Sequence, residues 1–592
     1  MLSFLKFIFK YNNRIVDIIM FYVSMICAFA VILHVGYITD AKLAKLFEIV
    51  IHAMFYGLFV LESFQTVSSI WVQKKVKIPQ VAGLTIIVYF LVIIIARLSE
   101  SDSLSYLRQE EWVYLGIYLI FLSALSKNSL FFDNFYFNPT ILFVISFLVF
   151  ILIGTLLLML PRTTLVAPLS FIDALFMATS AVCITGLSVT DISANFSLFG
   201  QTVVLVLIQV GGLGIMTFTG FFGYFFSGGF SFKNQLMFGE ILEENKLNSV
   251  ISTLLTIIFI TLLFEFIGAI SIYLTLDARL FDSVGEQIFF SVFHAVSSFC
   301  NAGFSILEDG IQHADYRYNY NFQLALAMIF VFGGLGFGTV YNFYTYAKTK
   351  LQAIFYKVVL KRNFVHKPWT FSFNSKFILI CNLIVVVLAT SSYFLFEYSK
   401  TLEQDRTLYG KIISAFFMTN ASRSTGFNSV DLNFLSGPTL IMITSLMWIG
   451  ASPGSTGGGV KVTTVAIAIL NIFSLARGKD SIDLFRRRII PESVNKAFAI
   501  ILLSVLTIGL SFVLLNFSDP SRSMKELLFE AVSAYTTCGL SLGVTPSLSP
   551  ASKIIIIITM FVGRVGTLTL LVAFIKNIRN RNYVYPSEKI LF

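Results

Sequence analysis

The stretch that decides the fold runs from Tyr409 to Lys461 and reads YGKIISAFFMTNASRSTGFNSVDLNF, an apolar span, and then MWIGASPGSTGGGVK. Its first helical segment, about 408–422, is too short to cross a bilayer, which takes about 20 apolar residues. A polar turn with Gly426 follows, and a second glycine-rich break begins at Gly450. Irregular backbone at membrane depth is tolerated only inside protein or along a watery cavity. The two breaks therefore indicate a pore with a selective turn and a constriction below it, whereas two ordinary surface loops are the alternative.

The same order of short helix, turn and long apolar segment occurs four times in the chain. The turn glycines are separated by 117 (303 − 186), 123 (426 − 303) and 113 (539 − 426) positions. Fixed-period similarity is typical of a repeat architecture and favours the pore. The residues expected to form the four turns are Cys183, Ile184, Thr185 and Gly186; Cys300, Asn301, Ala302 and Gly303; Ser424, Thr425 and Gly426; and Thr537, Cys538 and Gly539.

Composition places the chain in a membrane. Of its 592 residues, 56% are hydrophobic and 12% are charged, and the mean hydropathy is +0.83. Apolar runs of about 20 residues indicate a helical bundle rather than a β-barrel. The net charge of +10 comes from Lys and Arg that cluster between the apolar runs, which favours a lipid bilayer over nucleic acid as the partner. The five cysteines have neither metal-site spacing nor a disulfide pattern.

We therefore predict an all-α polytopic membrane protein with twelve spanning helices. Residues 1–135 form an N-terminal transmembrane extension of about four helices, at 15–38, 43–64, 79–97 and 112–126. Residues 136–592 form an ion-conducting domain of four pseudo-fourfold repeats around one pore, at about 139–228, 248–347, 374–476 and 497–578. Each repeat consists of an outer helix, a short pore helix, a turn and an inner helix. The predicted inner helices are 198–226, 321–346, 437–475 and 550–575.

Charge between the spans predicts the orientation. The segments 233–246, 348–367 and 477–496 are basic, as are the N-terminus around Arg14 and the tail from Lys576. Positively charged loops lie on the cytoplasmic side, so both termini are expected there and the turns are reached from outside. The predicted location is the plasma membrane, which is the inner membrane of a bacterium.

The turns have the chemistry of a cation filter. A ring of backbone carbonyls can replace the hydration shell of an ion, and glycine lets that backbone approach the axis. No TVGYG is present, which excludes an ordinary tetrameric potassium channel. Asp191 and Asp431 each follow their turn glycine by five positions (191 − 186, 431 − 426). They either concentrate cations at the outer mouth or are solvated loop carboxylates.

A second motif recurs on the inner helices and predicts a gate in the third repeat. In QVGGLG (209–214) and GGLG (333–336) the small residues are typical of close helix packing. The loop after Gly450 cannot stay helical, and Arg564 in an apolar helix requires partners such as carbonyls of that loop. Phosphate-loop spacing is absent. The predicted gate residues are Gly454, Ser455, Thr456, Gly457, Gly458, Gly459, Lys461 and Arg564.

Two groups of ionisable residues stay outside this scheme. Glu48 and His52 lie in the second apolar run, where ionisable groups are functional candidates. Being four positions apart, they can equally pair with each other. His294 and Glu530 lie on predicted pore helices, but no nucleophile–base or metal spacing accompanies them. The chain is therefore not expected to be an enzyme.

The motifs QVGGLG, GGLGFG, SRSTGFNSVD, GASPGSTGGGVK and GRVGTLTL together resemble the Trk/Ktr/HKT superfamily of potassium transporters over about residues 139–592. The ending YPSEK (585–589) resembles the KtrB branch more than TrkH. This resemblance implies a homodimer with one pore per subunit on a cytoplasmic ring of RCK subunits such as KtrA, and it places the regulatory nucleotide on that ring. Four turn glycines imply K⁺ preference. K⁺ is then the substrate and the one metal at the filter, with Na⁺ as a possible coupling ion and no other cofactor.

The function expected from the sequence is K⁺ uptake, passive or sodium-coupled, through the four-turn filter and past the intramembrane loop. Two alternatives stay open. One is the potassium-translocating subunit of a P-type ATPase complex, which shares this architecture, and the other is a Na⁺-conducting relative.

Overall fold

The computed structural model describes residues 2–37, 41–73, 78–99, 107–128, 139–214, 250–358 and 372–575. Within these ranges the regular structure is helical apart from a small antiparallel hairpin, Asp483–Leu484 with Arg487–Arg488. Six described helices contain segments long and apolar enough to span a membrane: Val16–Gly36, Lys42–Ile70, Gln80–Leu98, Leu255–Thr275, Phe373–Glu397 and Pro491–Ser518. The predicted all-α membrane architecture is confirmed. The basic segment 233–246, residues 359–367, the tail from Lys576 and the YPSEK ending lie outside the described residues.

The N-terminal helices form a bundle with its own apolar core. They are Leu2–Gly36, Ala41–Gln73, Ile78–Leu98 and Glu110–Asn128, and each packs on at least two of the others. Phe55 and Phe90 stack at 4.3 Å between ring centroids in the middle of this core. The bundle meets the rest of the chain where Arg162 N donates to Gly36 O at 3.1 Å. The second helix is longer than the predicted 43–64.

The four outer helices are Pro139–Leu158, Val250–Thr275, Phe373–Glu397 and Pro491–Ser518. The four short helices, which we call pore helices, are Phe171–Val182, Val284–Phe299, Leu408–Ala421 and Met524–Thr536. Ser170, Ser283 and Thr407 cap the first three through side-chain oxygens that accept backbone N–H groups. These caps start the pore helices at fixed positions after the polar connections.

The inner helices are interrupted, and here the predicted continuous helices 321–346 and 550–575 are wrong. The second is Tyr320–Gly334 followed by Phe337–Val358, with a bend of 104°. The fourth is Pro550–Val565 followed by Thr567–Phe574. The breaks occur at Gly336 (φ 88°) and Gly566 (φ 89°), where positive φ cannot continue a helix. The first inner helix, Leu198–Leu213, ends at Gly214 (φ 75°), and the rest of the predicted range to 226 lies outside the described residues.

The third inner helix is interrupted most extensively, as predicted. Gly437–Trp448 is followed by the loop 449–461 and then by Val462–Ala476. Short elements complete the described chain: the single helical turns Ile192–Asn195 and Ala314–Arg317, and the 3-10 turns Ala278–Leu280, Gly310–Gln312, Thr401–Gln404, Leu432–Phe434 and Thr545–Ser547.

Packing closes the repeats into a ring. The first segment of each inner helix packs against the pore helix of the next repeat, and that of the fourth inner helix packs against the pore helix of the first. Two large apolar clusters follow the same arrangement. One centres on repeats one and four, and the other on repeats two, three and four. The C-terminal ends of the pore helices, which carry partial negative charge, therefore meet around one axis.

Candidate functional site

Four turn glycines lie at the centre of the ring and touch in cyclic order. A Cβ added to Gly186 would lie 2.4 Å from Ala302 O, and one on Gly303 would lie 2.0 Å from Thr425 O. A Cβ on Gly426 would meet Cys538 O at 2.2 Å, and one on Gly539 would meet Thr185 O at 2.2 Å. The four φ values, 69–94°, are positive. Each repeat thus places a bare glycine against the carbonyl that precedes the glycine of the next repeat, which no side-chain-bearing residue would permit.

Three of the turns share one backbone pattern. The residue before the glycine donates its N–H to the carbonyl five positions earlier: Thr185 to Ser180, Ala302 to Ser297 and Cys538 to Ser533. The residue two before the glycine has positive φ, at Ile184 (56°), Asn301 (57°) and Thr537 (49°). The third turn differs, because Thr425 and Gly426 both donate to Ala421 O and Ser424 is not left-handed. This turn also accepts a backbone N–H of the intramembrane loop, from Gly458 to Ser424 Oγ.

Three repeats tie the segment after the glycine back to the pore helix through equivalent positions. The residue nine before the glycine contacts the residue two after it. Ser541 Oγ donates to Glu530 Oε1 in repeat four, and His294 Nε2 lies 3.0 Å from Ser305 Oγ in repeat two. In repeat one the pair is Met177 Sδ and Ser188 Oγ at 3.6 Å. His294 and Glu530, flagged from the sequence, are therefore buried braces behind the turns.

The recurrent inner-helix glycines bring those helices onto the pore helices. A Cβ on Gly211, Gly333 or Gly563 would lie 2.2, 2.0 or 1.9 Å from the carbonyl oxygen four before the turn glycine of the same repeat. Those oxygens belong to Val182, Phe299 and Tyr535. The close packing predicted for the first two motifs is present, and it extends to the fourth repeat.

The glycine-rich loop after Gly450 lies directly against the turns. Thr456 Oγ1 donates to Phe299 O at 3.1 Å or Gly333 O at 3.2 Å, both in repeat two. Gly458 N donates to Ser424 Oγ at 3.1 Å, and a Cβ on Gly458 would lie 1.9 Å from Thr537 Oγ1. The Asn301 side chain bridges Thr425 Oγ1 (2.6 Å) and Thr456 Oγ1 (2.7 Å). The loop therefore contacts the backs of three turns at once.

Arg564 connects this loop to the first repeat. Its Nη1 donates to Thr456 O at 2.5 Å, and its Nη2 donates to Gly211 O at 2.9 Å. Lys461 Nζ donates to Gly457 O at 2.7 Å, within the loop itself. Gly454 O accepts from Phe337 N at 2.8 Å, and Ser455 Oγ donates to Ser452 O at 2.6 Å. The carbonyl partners that the sequence analysis requires for Arg564 are present.

A second buried arginine holds the start of the loop and was assigned no role from the sequence. Arg423 Nη2 donates to Asn382 Oδ1 (2.7 Å) and Gly450 O (3.2 Å), and Asn382 Nδ2 donates to Ser452 Oγ (2.8 Å). Arg423 is 9% exposed and borders a cavity of about 40 Å³. Its position beside a turn at membrane depth is the signal that identifies it, since such a charge needs partners.

Glu265 is a further residue that the sequence analysis missed. It lies in the middle of the second outer helix, is 7% exposed, and accepts from Gln209 Nε2 at 3.1 Å. Cys300 Sγ of the second turn lies 3.9 Å from Glu265 Oε1. A lone carboxylate in an apolar run is again the signal that marks it. It supports the second turn from behind.

The two outer-mouth candidates have a local structural role. Asp191 Oδ1 accepts from Ser193 N at 2.8 Å and caps the turn Ile192–Asn195, and Asp431 Oδ1 accepts from Asn433 N at 2.9 Å in the same manner. Asp431 also borders an open recess of about 560 Å³, together with Asp309 and His313. Both aspartates therefore cap local turns. Because Asp431 also borders the recess, it can in addition act on cations at the outer mouth.

Comparison with known proteins agrees with this geometry. The family model TrkH, described as a cation transport protein, matches residues 117–585. Ktr system potassium uptake protein B of Bacillus subtilis is 34% identical over 458 residues, which cover 77% of this chain and 96% of that relative. Potassium/sodium uptake protein NtpJ of Enterococcus hirae is 31% identical over 464 residues, which cover 77% of this chain and 97% of the relative.

A solved structure has the same fold. The potassium transporter TrkH from Vibrio parahaemolyticus matches with a TM-score of 0.60 at 16% identity, covering 84% of this chain and 98% of that one. The resemblance inferred from the motifs is confirmed by the family match and by these relatives. The chain belongs to the TrkH/Ktr family of cation transport proteins.

Proposed function

We propose that this transporter takes up K⁺ through the ring of Gly186, Gly303, Gly426 and Gly539. The proposal rests on one observation: each turn glycine lies against the carbonyl that precedes the glycine of the next repeat, so that the four turns close a ring. Four backbone strands at this separation present oxygens on all sides of an ion that has lost its water. The C-terminal ends of four pore helices add favourable potential for a cation. The relatives named above are potassium or potassium/sodium uptake proteins, which supports K⁺ as substrate.

We propose as filter residues the full set predicted from the sequence. Side chains behind the ring brace it: Thr425 Oγ1 bonds Asn301, and Cys538 Sγ lies 3.2 Å from Ser422 O. Cys183 and Cys300 are fully buried beside the pore helices, with no accessible surface for a passing ion. In this proposal backbone oxygens bind K⁺ and the side chains set the diameter of the ring.

The loop 450–461 is the proposed gate. It contacts three turns, and Arg564 ties it to the first repeat. Opening requires Thr456, in the middle of the loop, to break its contacts with the turns. The second segment of the third inner helix, Val462–Ala476, follows the loop directly. A cytoplasmic partner that pulls on this helix would thus free the loop.

The assembly we propose is a homodimer on a cytoplasmic RCK ring of the KtrA kind, with the nucleotide on the ring. The membrane is the bacterial plasma membrane, and both termini are cytoplasmic. The basic segment between the third and fourth repeats supports this orientation, because Arg486, Arg487 and Arg488 are exposed on the hairpin there. Na⁺ is the proposed coupling ion, in keeping with a relative named for both ions.

Membership of the TrkH/Ktr family argues against the subunit of a P-type ATPase complex. A Na⁺-conducting transporter is the second candidate, and it is favoured by the likeness to the potassium/sodium uptake protein. The K⁺ and Na⁺ candidates differ in the ion that passes the ring, so a measurement of transport distinguishes them.

The test is uptake of radioactive rubidium and sodium by cells that lack their own K⁺ uptake and express this chain with a Ktr-type partner. We expect saturable rubidium uptake and growth at low K⁺. Sodium uptake without rubidium uptake at normal expression would support the second candidate and contradict K⁺ uptake. Empty-vector cells are the control.

A further inference from the structure

One group of charged residues lies outside the ion pathway, at one end of the N-terminal bundle. Glu48 and His52 come from the first turns of the helix Ala41–Gln73, and Glu110 begins the helix Glu110–Asn128. One ligand atom from each of the three lies within 4.8 Å of those from the other two. Because the family match begins at residue 117, these residues lie outside the part of the chain shared with the family model.

The contacts around His52 bring a ring nitrogen and a carboxylate oxygen close together. His52 Nε2 lies 2.8 Å from Glu110 Oε2 and 2.6 Å from Arg97 Nη1. A ring nitrogen carries either one proton or one lone pair: with a proton, Nε2 donates to Glu110 Oε2, and without it, the lone pair accepts from Arg97 Nη1 and is available to a metal ion that replaces Arg97 there. Arg97 Nη2 also donates to Glu110 Oε1 at 2.7 Å, which leaves Oε2 directed at His52.

Glu48 adds a third ligand, the second carboxylate oxygen. Among the described residues its carboxylate has no hydrogen bond and no ion pair, although it interacts electrostatically with His34. With neutral histidine, two carboxylates and one arginine leave the cluster with one net negative charge. A negatively charged, half-buried group of three ligand atoms within 4.8 Å of one another is an environment that favours a cation.

We propose that Glu48, His52 and Glu110 bind a divalent transition-metal ion of the zinc class. One imidazole nitrogen and two carboxylate oxygens are ligands that suit zinc, whereas calcium and magnesium prefer oxygen alone. Ligands of a tetrahedral zinc are about 3.4 Å apart, given bonds of about 2.0–2.1 Å. The observed separations, 2.8 Å and at most 4.8 Å, bracket that value, so small side-chain movements suffice.

Arg97 has a defined place in this site. When metal occupies His52 Nε2, Nη1 of Arg97 must move away, while Nη2 keeps its bond to Glu110 Oε1. Such an outer partner holds a ligating carboxylate in position. The metal would then link the second and fourth helices of the bundle at the end that the proposed orientation places outside the cell.

Zinc titration of the purified full-length chain in detergent, followed by calorimetry, tests the proposal. The decisive variant is Glu48→Gln, which removes a ligand without removing a described hydrogen bond. A second variant, H52Q/E110Q, removes the other two ligands. The matched control is H313Q/D315N, which removes a histidine–aspartate pair 3.6 Å apart elsewhere on the surface.

We expect about one zinc per chain in the wild type and in the control, at least about tenfold weaker binding in Glu48→Gln, and no such site in H52Q/E110Q. Excess calcium should not compete. The proposal is overturned if the wild type binds no zinc, or if Glu48→Gln binds zinc as the wild type does. If H52Q/E110Q does not fold, Glu48→Gln decides alone. Neither result depends on which ion the pore conducts.

Discussion

Arg564→Ala is expected to open the pore by releasing the loop from one side. The guanidinium makes two charged hydrogen bonds, to Thr456 O (2.5 Å) and Gly211 O (2.9 Å), and the first of them holds the loop. A hydrogen bond to a charged group contributes about 1.5–3 kcal/mol. Losing it shifts the closed-to-open ratio of the loop by about 10- to 150-fold.

Other contacts limit the effect. Thr456 Oγ1 still donates within repeat two, and Gly458 N still donates to Ser424 Oγ at 3.1 Å. We therefore expect the low end, about a tenfold rise in flux without the partner ring. Arg564→Lys is the graded control, because one ammonium cannot span both carbonyls with the geometry of a guanidinium. Its flux should lie between those of the wild type and Arg564→Ala.

The assay is rubidium flux into liposomes per correctly folded chain, with folded protein counted by size-exclusion chromatography. The alternative is that Arg564 only supports helix packing, since its loss leaves Thr456 O without a described donor, while Gly211 O still accepts from Gly214 N at 3.2 Å. In that case yield falls and flux per folded chain is unchanged. This result would refute the gate reasoning.

Three further predictions concern the ring, the loop and the extension. Gly186→Ser and Gly426→Ser each place a Cβ within 2.4 Å of a neighbouring carbonyl. The resulting strain of about 1–3 kcal/mol should lower the K⁺-to-Na⁺ uptake ratio about tenfold. An unchanged ratio in both variants would show that these turns are not part of the filter. Deleting Gly457–Gly459 shortens the loop and should raise rubidium flux and weaken the dependence of that flux on the partner. Equal flux in the deletion variant and the wild type would contradict the proposal that this loop is the gate. A chain lacking residues 1–130 should retain rubidium uptake where it inserts, and loss of uptake in a well-folded truncation would place the extension in the transport mechanism.

Much of the architecture was predictable because it is repeated. The period of the turn glycines and the break at Gly450 each appear in the sequence as residue types with a narrow structural meaning. Four weak signals at one spacing make a strong one. The carbonyl partners of Arg564 were predictable for a different reason, since a lone charge at membrane depth requires partners.

The inner-helix breaks were not predictable from hydropathy, since the apolar run continues across Gly336 and Gly566. Gly336 belongs to a motif that is typical of packing, and the positive φ of both glycines arises only where the chain must turn below the ring. Arg423 and Asn382 were missed because their hydrogen bond joins a turn residue to a helix residue 41 positions earlier in the chain. The order of the glycine-to-carbonyl contacts around the ring likewise depends on how the repeats pack, and the spacing of the turn glycines along the sequence does not predict that packing.

The most direct test of the central claim is anomalous X-ray diffraction from crystals of this protein equilibrated with rubidium. The account predicts an anomalous peak on the axis enclosed by Gly186, Gly303, Gly426 and Gly539, close to the carbonyls of Thr185, Ala302, Thr425 and Cys538, and weakened by competing K⁺ but not by equal Na⁺. A peak elsewhere, or none within the ring, would contradict the assignment of these turns as the ion filter.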